Sequence, residues 1–315
     1  RFRHAQFSAT AISDSTPLTG SIVQKACYRA RMFRLRDIQR RFDRAAASFD
    51  DTDFVHAVTR DGLLARLEPL VLEARNILDL GSATGSTGHL LRKRFRRAHI
   101  ISLDASHRMA VRALAGKGWL SRGSAVQADA NRLPFGAGVF DLVVANQLLP
   151  WLPDPDTAFA EIARVLRPGG VFAFATLGPD SLAELRRAWA RVDDRAHVHG
   201  FADMHNIGDG IVRAGLADPI LDVDRLTVSY EDADRLFADL SRTGARNALP
   251  DRQRGLTGRR RFEAMRRSLT DAAADGRVVL ELELVYGHCW GAGPRKDPTD
   301  YRIPAGGIPR RNRRR

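Results

Sequence analysis

The sequence predicts an α/β fold built on a doubly wound parallel sheet. Between residues 76 and 177, short apolar runs of strand length alternate with amphipathic stretches of helix length. A glycine-rich turn follows the first run, and an acidic residue stands at or near the end of each of the first three runs. Strands that alternate with helices in this way form parallel sheets with right-handed crossovers, and ligands bind beyond the carboxyl ends of the strands.

Each predicted element follows from its own residue pattern. Apolar residues at helical spacing predict two helices before the first strand, at residues 34–50 and 54–70. Apolar runs predict strands at 76–80, 99–103, 124–128, 140–145 and 171–176, with helices between them at 87–96, 106–115 and 155–166. Beyond residue 177 we expect helices at 180–191 and 204–214, a strand at 218–230, a mostly helical segment at 231–275 and a final strand at 277–290. Ser106 and Asp180 are the expected N-caps of their helices.

Length and composition favour one large domain with a small lobe. With 315 residues and 44% hydrophobic content, the chain can bury one sizeable core. We expect an N-terminal extension at 1–33, a domain at 34–294 with a helical lobe at about 231–275, and a basic, disordered tail at 295–315. No stretch approaches 18 consecutive apolar residues, which argues against a membrane span. The two cysteines make no disulfide framework, so a reducing, cytoplasmic setting is expected.

The net charge of +13 is concentrated at the two ends of the chain. Residues 1–44 hold ten Lys or Arg against three acids, and residues 295–315 hold eight against two, so the body between them is neutral. Basic ends of this kind attract any polyanion without specificity. The neutral body therefore argues against an enzyme that acts on nucleic acid.

The residues of the glycine-rich turn indicate which kind of ligand it binds. It departs from the dinucleotide fingerprint G-x-G-x-x-G, because Ala83 and Ser86 stand at the second and third glycine positions. Asp79, just before the turn, would repel a pyrophosphate and attract a cation. S-adenosylmethionine is such a ligand, since it carries a sulfonium and an ammonium group and no phosphate. Another Rossmann-like ligand is the alternative.

The turn resembles the cofactor motif of class I methyltransferases, D/E-x-G-x-G-x-G. It retains Asp79, Gly81 and Gly85, whereas Ala83 replaces the middle glycine. Two later segments, residues 133–143 and 164–170, are also typical of that class. The resemblance implies a Rossmann-like, seven-stranded methyltransferase sheet with a late helical insertion, and S-adenosylmethionine as the cofactor.

The same resemblance implies which residues hold the cofactor. They lie in the turn and at the ends of successive strands, and they are Asp79, Gly81, Ala83, Gly85, Asp104, Ala105, Asp129, Ala130 and Asn146. Asp104 is implied to accept both ribose hydroxyls, Asp129 to meet the adenine edge, and Asn146 to face the methyl-bearing end. Asp104 and Asp129 are equally suited to capping the helices that follow them.

A narrower resemblance extends on both sides of this core, over roughly residues 38–292. It is carried by residues 41–50, 174–182, 200–209, 213–219, 244–247 and 283–290. These segments are similar to the malonyl-acyl-carrier-protein O-methyltransferases of biotin synthesis. Some of them are shared with mitochondrial complex I assembly factors that hydroxylate an arginine. The chain departs from the pattern at Ala83, and at Phe49, where tyrosine is common.

The family implied by this resemblance methylates the free carboxylate of a malonyl thioester. A carboxylate is ionised at neutral pH, so the site needs alignment and exclusion of water but no base. We therefore expect no catalytic residue and no metal ligand. Arginine is the expected partner of the malonyl carboxylate, and the candidates are Arg246, Arg254 and Arg259, with Trp151 lining the acceptor side.

The implied partner is an acidic malonyl-acyl-carrier protein. Residues 252–267 hold seven arginines against one acid, Glu263, so we expect this Arg252–Arg267 face to dock the carrier, with help from Arg186, Arg187 and Arg191. A solvated charged helix is the alternative interpretation of that segment. Two other functions stay open: a methyltransferase acting on a small molecule or RNA, and a hydroxylating or non-catalytic relative that keeps the scaffold.

Overall fold

The computed structural model describes residues 34–115, 123–250, 252, 255, 257–271 and 277–293. The expected N-terminal extension at 1–33, the basic tail at 295–315 and Arg254 lie outside these residues. Within them, the chain forms the predicted α/β fold, with helices on both faces of one seven-stranded sheet. No helix in the described part of the chain is long and apolar enough to cross a membrane.

The sheet has the strand order β3-β2-β1-β4-β5-β7-β6. Its strands are β1 (Asn76–Leu80), β2 (His99–Asp104), β3 (Gly123–Gln127), β4 (Phe140–Asn146), β5 (Leu166–Leu177), β6 (Leu216–Tyr230) and β7 (Val278–Gly291). The first five are parallel, whereas β7 runs antiparallel to both β5 and β6. The order reverses between β1 and β4, and this switch point opens the crevice where ligands of doubly wound sheets bind.

The helices follow the predicted order. They are α1 (Leu35–Ala45), α2 (Phe54–Leu67), α3 (Ser86–Arg94), α4 (His107–Ala115), α5 (Pro155–Val165), α6 (Ala183–Ala190), α7 (Met204–Arg213), α8 (Ala233–Arg242) and α9 (Arg259–Thr270). Helices α6, α8 and α9 share a separate apolar cluster with the start of β7. The predicted helical lobe at 231–275 thus corresponds to α8, α9 and the segment that joins them.

Burial explains why the parallel strands form where the apolar runs lie. Successive residues of a strand face opposite sides of the sheet, so Leu78 and Leu80 enter one core cluster while Ile77 enters the other. Six of the seven residues of β4 are buried, and Asn146 is the exception. A central strand covered by helices on both faces therefore appears in the sequence as a largely apolar run. In β4 Asp141 interrupts the run, and its buried carboxylate accepts from the Arg75 and Asn76 N–H groups.

Two local predictions need correction, and one is confirmed. Residues 167–170 do not separate helix from strand but belong to β5, where the pairing with β4 is irregular between Phe140 and Leu142. Asp180 does not cap α6; Leu182 stands at the N-cap with φ of 60°, and the Asp180 N–H donates instead to the Glu283 side chain. Ser106 does cap α4, because its Oγ accepts from the Met109 N–H at 3.2 Å.

Candidate functional site

A narrow cavity of about 90 Å³, here called the inner cavity, lies at the carboxyl ends of β1, β2 and β4. Its lining includes most of the residues predicted to hold the cofactor, namely Gly81, Ala83, Asp104, Ala105, Asp129, Ala130 and Asn146. Trp151 also lines it, together with residues of α1 and α2. The sheet therefore brings most of the predicted residues to one cavity, and their contacts with a cofactor stay a prediction.

Three residues of the turn after β1 have left-handed backbones. Gly81, Ala83 and Gly85 have φ of 71°, 45° and 88°. A Cβ on Gly81 would lie 2.9 Å from a Leu148 methyl carbon, so glycine is required there for space as well as for φ. Ala83 tolerates its conformation with its methyl group packed against the cluster formed by α1 and Met109.

Asp79 is buried beneath the turn and is not part of the cavity lining. Its Oδ2 accepts from the Gly88 N–H at 2.9 Å, one of the N–H groups in the first turn of α3 that lack partners within the helix. A Cβ on Gly88 would lie 3.0 Å from the same oxygen. The observed contact of Asp79 therefore fixes the turn to α3, while its predicted contact with the cofactor stays a prediction.

Asp104 connects the cavity wall to the turn. Its Oδ2 accepts from the Ala83 N–H at 2.9 Å and its Oδ1 accepts from the Ser106 N–H at 2.8 Å. Burial raises the pKa of the Asp104 carboxyl to about 6, although these backbone donors oppose the shift. The carboxylate thus holds the turn and the start of α4 while its remaining lone pairs stay available to a ligand.

Helix α1 covers this part of the cavity. The Gln39 side chain donates to the Ala105 carbonyl at 3.1 Å, and Asp43 accepts from Ser106 Oγ at 2.6 Å. Asp129 accepts from the Asn131 N–H at 2.9 Å, which holds the loop after β3 against the cavity. Helix α1, which precedes the sheet in the chain, therefore covers the ribose and adenine positions that the resemblance implies.

Asn146 lines the cavity, but its side chain is bonded to α2. Its Nδ2 donates to the His56 carbonyl at 2.9 Å, and its Oδ1 accepts from Thr59 Oγ1 at 2.8 Å. The next residue, Gln147, is buried with φ of 57°. Neither Gln147 nor His56 belongs to a sequence motif, so no local pattern predicts either of them as a site residue.

Four polar atoms around the inner cavity are buried and have no hydrogen-bond partner among the described residues. They are His56 Nδ1, Arg60 Nε, Ser82 Oγ and Gln147 Nε2, and all four residues line the cavity. Buried polar groups are normally hydrogen-bonded, because leaving one without a partner is energetically costly. Their concentration around one cavity indicates a polar ligand.

A second cavity of about 810 Å³, here called the outer cavity, adjoins the first. Phe42, His56, Gln147 and Trp151 line both cavities, so they form the wall between them. The Trp151 ring contacts Phe42 and His199 edge-on, with centroid separations of 5.1 and 5.0 Å. Trp151 thus lies between the two cavities, and its predicted place on the acceptor side stays a prediction.

The outer cavity carries an excess of positive charge. Its described lining contains two aspartates, Asp37 and Asp239, and six arginines: Arg40, Arg41, Arg44, Arg195, Arg246 and Arg252. Its other end is apolar and is lined by residues of the helical lobe and of β6 and β7. The cavity thus suits a ligand that is anionic at one end.

Of the predicted substrate arginines, Arg246 lines the outer cavity. Arg259 is exposed at the start of α9 and is not a lining residue of either cavity. The structure adds Arg41, which lies on α1 and donates to the Asn247 carbonyl. Burial and the nearby Arg252 and Arg246 lower the pKa of the Arg41 guanidinium to about 10.

The histidines at positions 197, 199, 205 and 288 form no metal site with other described residues. His197 stacks on Trp189 with a centroid separation of 3.7 Å, and His199 Nε2 accepts from the Ala248 N–H at 2.9 Å. His205 is exposed, and His288 lies in β7. In the described part of the chain, no group of three or more His, Cys, Asp or Glu side chains could hold a metal ion.

Comparisons with known proteins place this site in context. The family model described as "Methyltransferase domain" matches residues 78–174, which contain the turn and the first five strands. A malonyl-[acyl-carrier protein] O-methyltransferase from Halorhodospira halophila is 40% identical over 284 residues, covering 88% of this chain and 96% of that protein. The enzyme of the same name from Laribacter hongkongensis is 40% identical over 272 residues, covering 83% and 91%.

Solved structures agree with the fold. The YcgJ protein from Bacillus subtilis superposes with a TM-score of 0.54 at 18% identity, covering 76% of this chain and 100% of that one. A chain in the complex of the Haloferax volcanii Trm112 methyltransferase activator gives a TM-score of 0.55 at 20% identity, covering 82% and 100%. At this level of identity the likeness supports the fold alone.

Proposed function

The chain belongs to the malonyl-[acyl-carrier protein] O-methyltransferase family, and from this premise we propose that it methylates the free carboxylate of a malonyl thioester carried by an acyl carrier protein. We assign the reaction to the cytoplasm, in keeping with a sequence whose two cysteines make no disulfide framework. The observation that carries the proposal is the pair of adjoining cavities, one at the predicted cofactor position with buried polar atoms that lack partners among the described residues, the other rich in arginine.

S-adenosylmethionine is the cofactor of this methyltransferase family, and the inner cavity fits it. Asp104 offers carboxylate oxygens for a diol, and the buried Ser82 Oγ offers unused hydrogen-bonding capacity. When bound, S-adenosylmethionine supplies an electrophilic methyl group, and the balanced reaction with a carboxylate gives a methyl ester and S-adenosylhomocysteine without removal of a proton.

The pKa of Asp104 leads to a prediction about pH. A ribose diol is held best by an ionised carboxylate, and this carboxyl has a pKa raised to about 6. The group is ionised above that pKa and protonated below it, so cofactor affinity should be constant above about pH 7 and fall about tenfold per pH unit well below pH 6. Titration calorimetry from pH 5 to 8 measures the effect. An Asp104→Asn variant should lack this pH dependence, and a wild-type affinity that stays constant down to pH 5 would refute the assignment.

Two histidines on the acceptor side are weak bases, which suits an acceptor that is already a carboxylate. Burial and Arg60 lower the pKa of the His56 imidazole to about 4, and burial and Arg41 lower that of His199 to about 4. Both rings are therefore neutral at pH 7. Neutral imidazoles beside a cluster of arginines favour an acceptor that arrives already anionic, because the arginines stabilise its charge and no deprotonation is needed.

The entrance of the outer cavity is suited to an acidic carrier protein. Thr257, just before α9, and Phe262 on α9 line the cavity, so described residues of the arginine-rich segment lie beside it. On that helix, Arg261 and Arg266 pair with Asp193 and Asp234, whereas the other arginines of the described helix are exposed, namely Arg259, Arg260 and Arg267. We assign these exposed arginines to carrier docking, with Arg187 and Arg191 of α6 nearby.

A methyl-transfer assay with malonyl, succinyl and acetyl thioesters tests the proposal, with product detected by mass spectrometry. We expect a methyl ester from the malonyl thioester and none from acetyl, which has no free carboxylate. Each thioester is offered on an acyl carrier protein and on pantetheine alone. Added salt should raise KM for the carrier-bound form and leave the pantetheine form nearly unchanged, because salt screens only the docking charges. Methylation of the acetyl thioester, or none of the malonyl thioester, would overturn the proposal.

A further inference from the structure

Gln147 stands at the boundary between the two cavities without a role in the contacts described so far. It follows β4 directly, has 6% of its surface exposed, and lines both cavities. Its backbone is left-handed, with φ of 57°, and its N–H donates to the Ala175 carbonyl at 2.7 Å. Non-glycine residues held in this region are uncommon and cluster at ligand sites, where surrounding structure compensates for the strain.

The side-chain amide adds an independent observation. Gln147 Nε2 is buried and has no hydrogen-bond partner among the residues that the structure describes. An amide N–H that is removed from water needs an acceptor atom to compensate for its lost hydration. The neighbouring polar groups do not supply one, because Asn146 is bonded to Thr59 and the His56 carbonyl. A molecule bound at this wall can supply the acceptor.

The position of Gln147 between the two cavities indicates which bound molecule supplies the acceptor atom. We propose that Gln147 is a substrate-positioning residue whose Nε2 donates a hydrogen bond to one carboxylate oxygen of the acyl acceptor, so that the second oxygen faces the methyl group. The inference rests on the proposed function and adds a residue to it. Positive charge comes from Arg41, Arg246 and Arg252 in the outer cavity. Gln147 orients the acceptor carboxylate at the wall where the two reactants meet.

Two replacements at one position separate this role from a structural one. Gln147→Met keeps length and volume but removes the donor, and we expect kcat/KM for the malonyl thioester to fall about tenfold. Gln147→Glu replaces the donor by an anion, and we expect a loss of about 100-fold at pH 8, because two carboxylates repel each other. As pH falls and this glutamate takes up a proton, it gains an O–H donor, so its activity relative to wild type at the same pH should rise above that of Gln147→Met. A merely structural role would not produce that recovery.

Cofactor affinity and the melting temperature are measured in parallel. Both should stay close to wild-type values in Gln147→Met, and the control Glu73→Met, at an exposed position before β1 and outside both cavities, should keep wild-type kinetics. If the wild-type protein methylates malonyl thioester and Gln147→Met does so with equal kcat/KM, this inference alone is overturned. A Gln147→Met variant that loses cofactor affinity and keeps its KM for the thioester would also overturn it, since the amide would then serve the cofactor. A wild-type protein inactive on malonyl thioester overturns the proposed function and this inference together.

Discussion

Replacing Asp104 by asparagine is expected to weaken S-adenosylmethionine binding about 100-fold. The carboxylate accepts from the Ala83 and Ser106 N–H groups, one on each oxygen, and retains lone pairs for a ribose diol. Asparagine puts an N–H₂ group in place of one oxygen, so one backbone donor and one hydroxyl lose their acceptor at once. Hydrogen bonds to charged groups contribute about 1.5–3 kcal/mol each, and about 2.7 kcal/mol corresponds to a factor of 100. Titration calorimetry with S-adenosylmethionine measures the change.

A matched control separates loss of the ribose contact from a general effect of removing an acid. Asp156→Asn removes an exposed carboxylate on α5 that pairs with Arg213, far from both cavity linings. Its cofactor affinity should equal that of the wild type. An Asp104→Asn variant that binds within threefold of wild type would contradict the ribose assignment, and Asp104 would then be a residue that only organises the turn and α4.

The sequence could predict the inner cavity because its residues follow from local patterns. A strand covered on both faces needs a largely apolar run, as in β4. The run ends at a polar residue, here Asn146. Parallel strands place their carboxyl ends at one edge, so acids that are about 25 residues apart in sequence, Asp104 and Asp129, reach the same cavity. Neither step requires knowledge of long-range packing.

The outer cavity could not be predicted in the same way, because it depends on contacts between distant segments. Arg41 meets Asn247 across 206 positions of sequence, and nothing in the pattern of α1 distinguishes it from an arginine on a solvated helix face. Arg259 belongs to a more conspicuous arginine cluster, yet α9 presents it to solvent. Density of charge in a sequence therefore indicates a docking surface better than it indicates a buried anion site.

Asp180 departs from the N-cap preference of aspartate, and Gln147 departs from the preference of glutamine for negative φ. The two departures have related causes. Asp180 has the side chain of a good N-cap, but its backbone N–H is already bonded to Glu283 and the helix begins after Leu182. Gln147 carries a left-handed backbone that sequence rules reserve for glycine or asparagine. In both cases tertiary contacts with the sheet override the local preference, and at Gln147 the departure coincides with the wall between the two cavities.

Arg41→Gln is expected to raise KM for the malonyl thioester about 30-fold while cofactor affinity stays unchanged. Arg41 is half-buried, and its pKa is lowered to about 10 by burial and by Arg252 and Arg246, so three cations share one side of the outer cavity. Asp37, which pairs with Arg252, only partly offsets this charge. A bound carboxylate relieves the repulsion, and the loss of one charged hydrogen bond corresponds to roughly this change in KM.

The measurement is steady-state kinetics at saturating cofactor, with a series of variants on the same helix. Glutamine keeps a donor for the Asn247 carbonyl, so Arg41→Gln tests charge more than the packing of α1. Arg41→Lys should recover part of the affinity, because lysine restores the charge without the planar fork that binds both carboxylate oxygens. Arg36→Gln removes an exposed arginine of α1 outside both cavity linings and should leave KM unchanged. Equal KM values for Arg41→Gln and wild type would show that the acceptor carboxylate is held elsewhere, and Arg246 and Arg252 would then be the residues to replace.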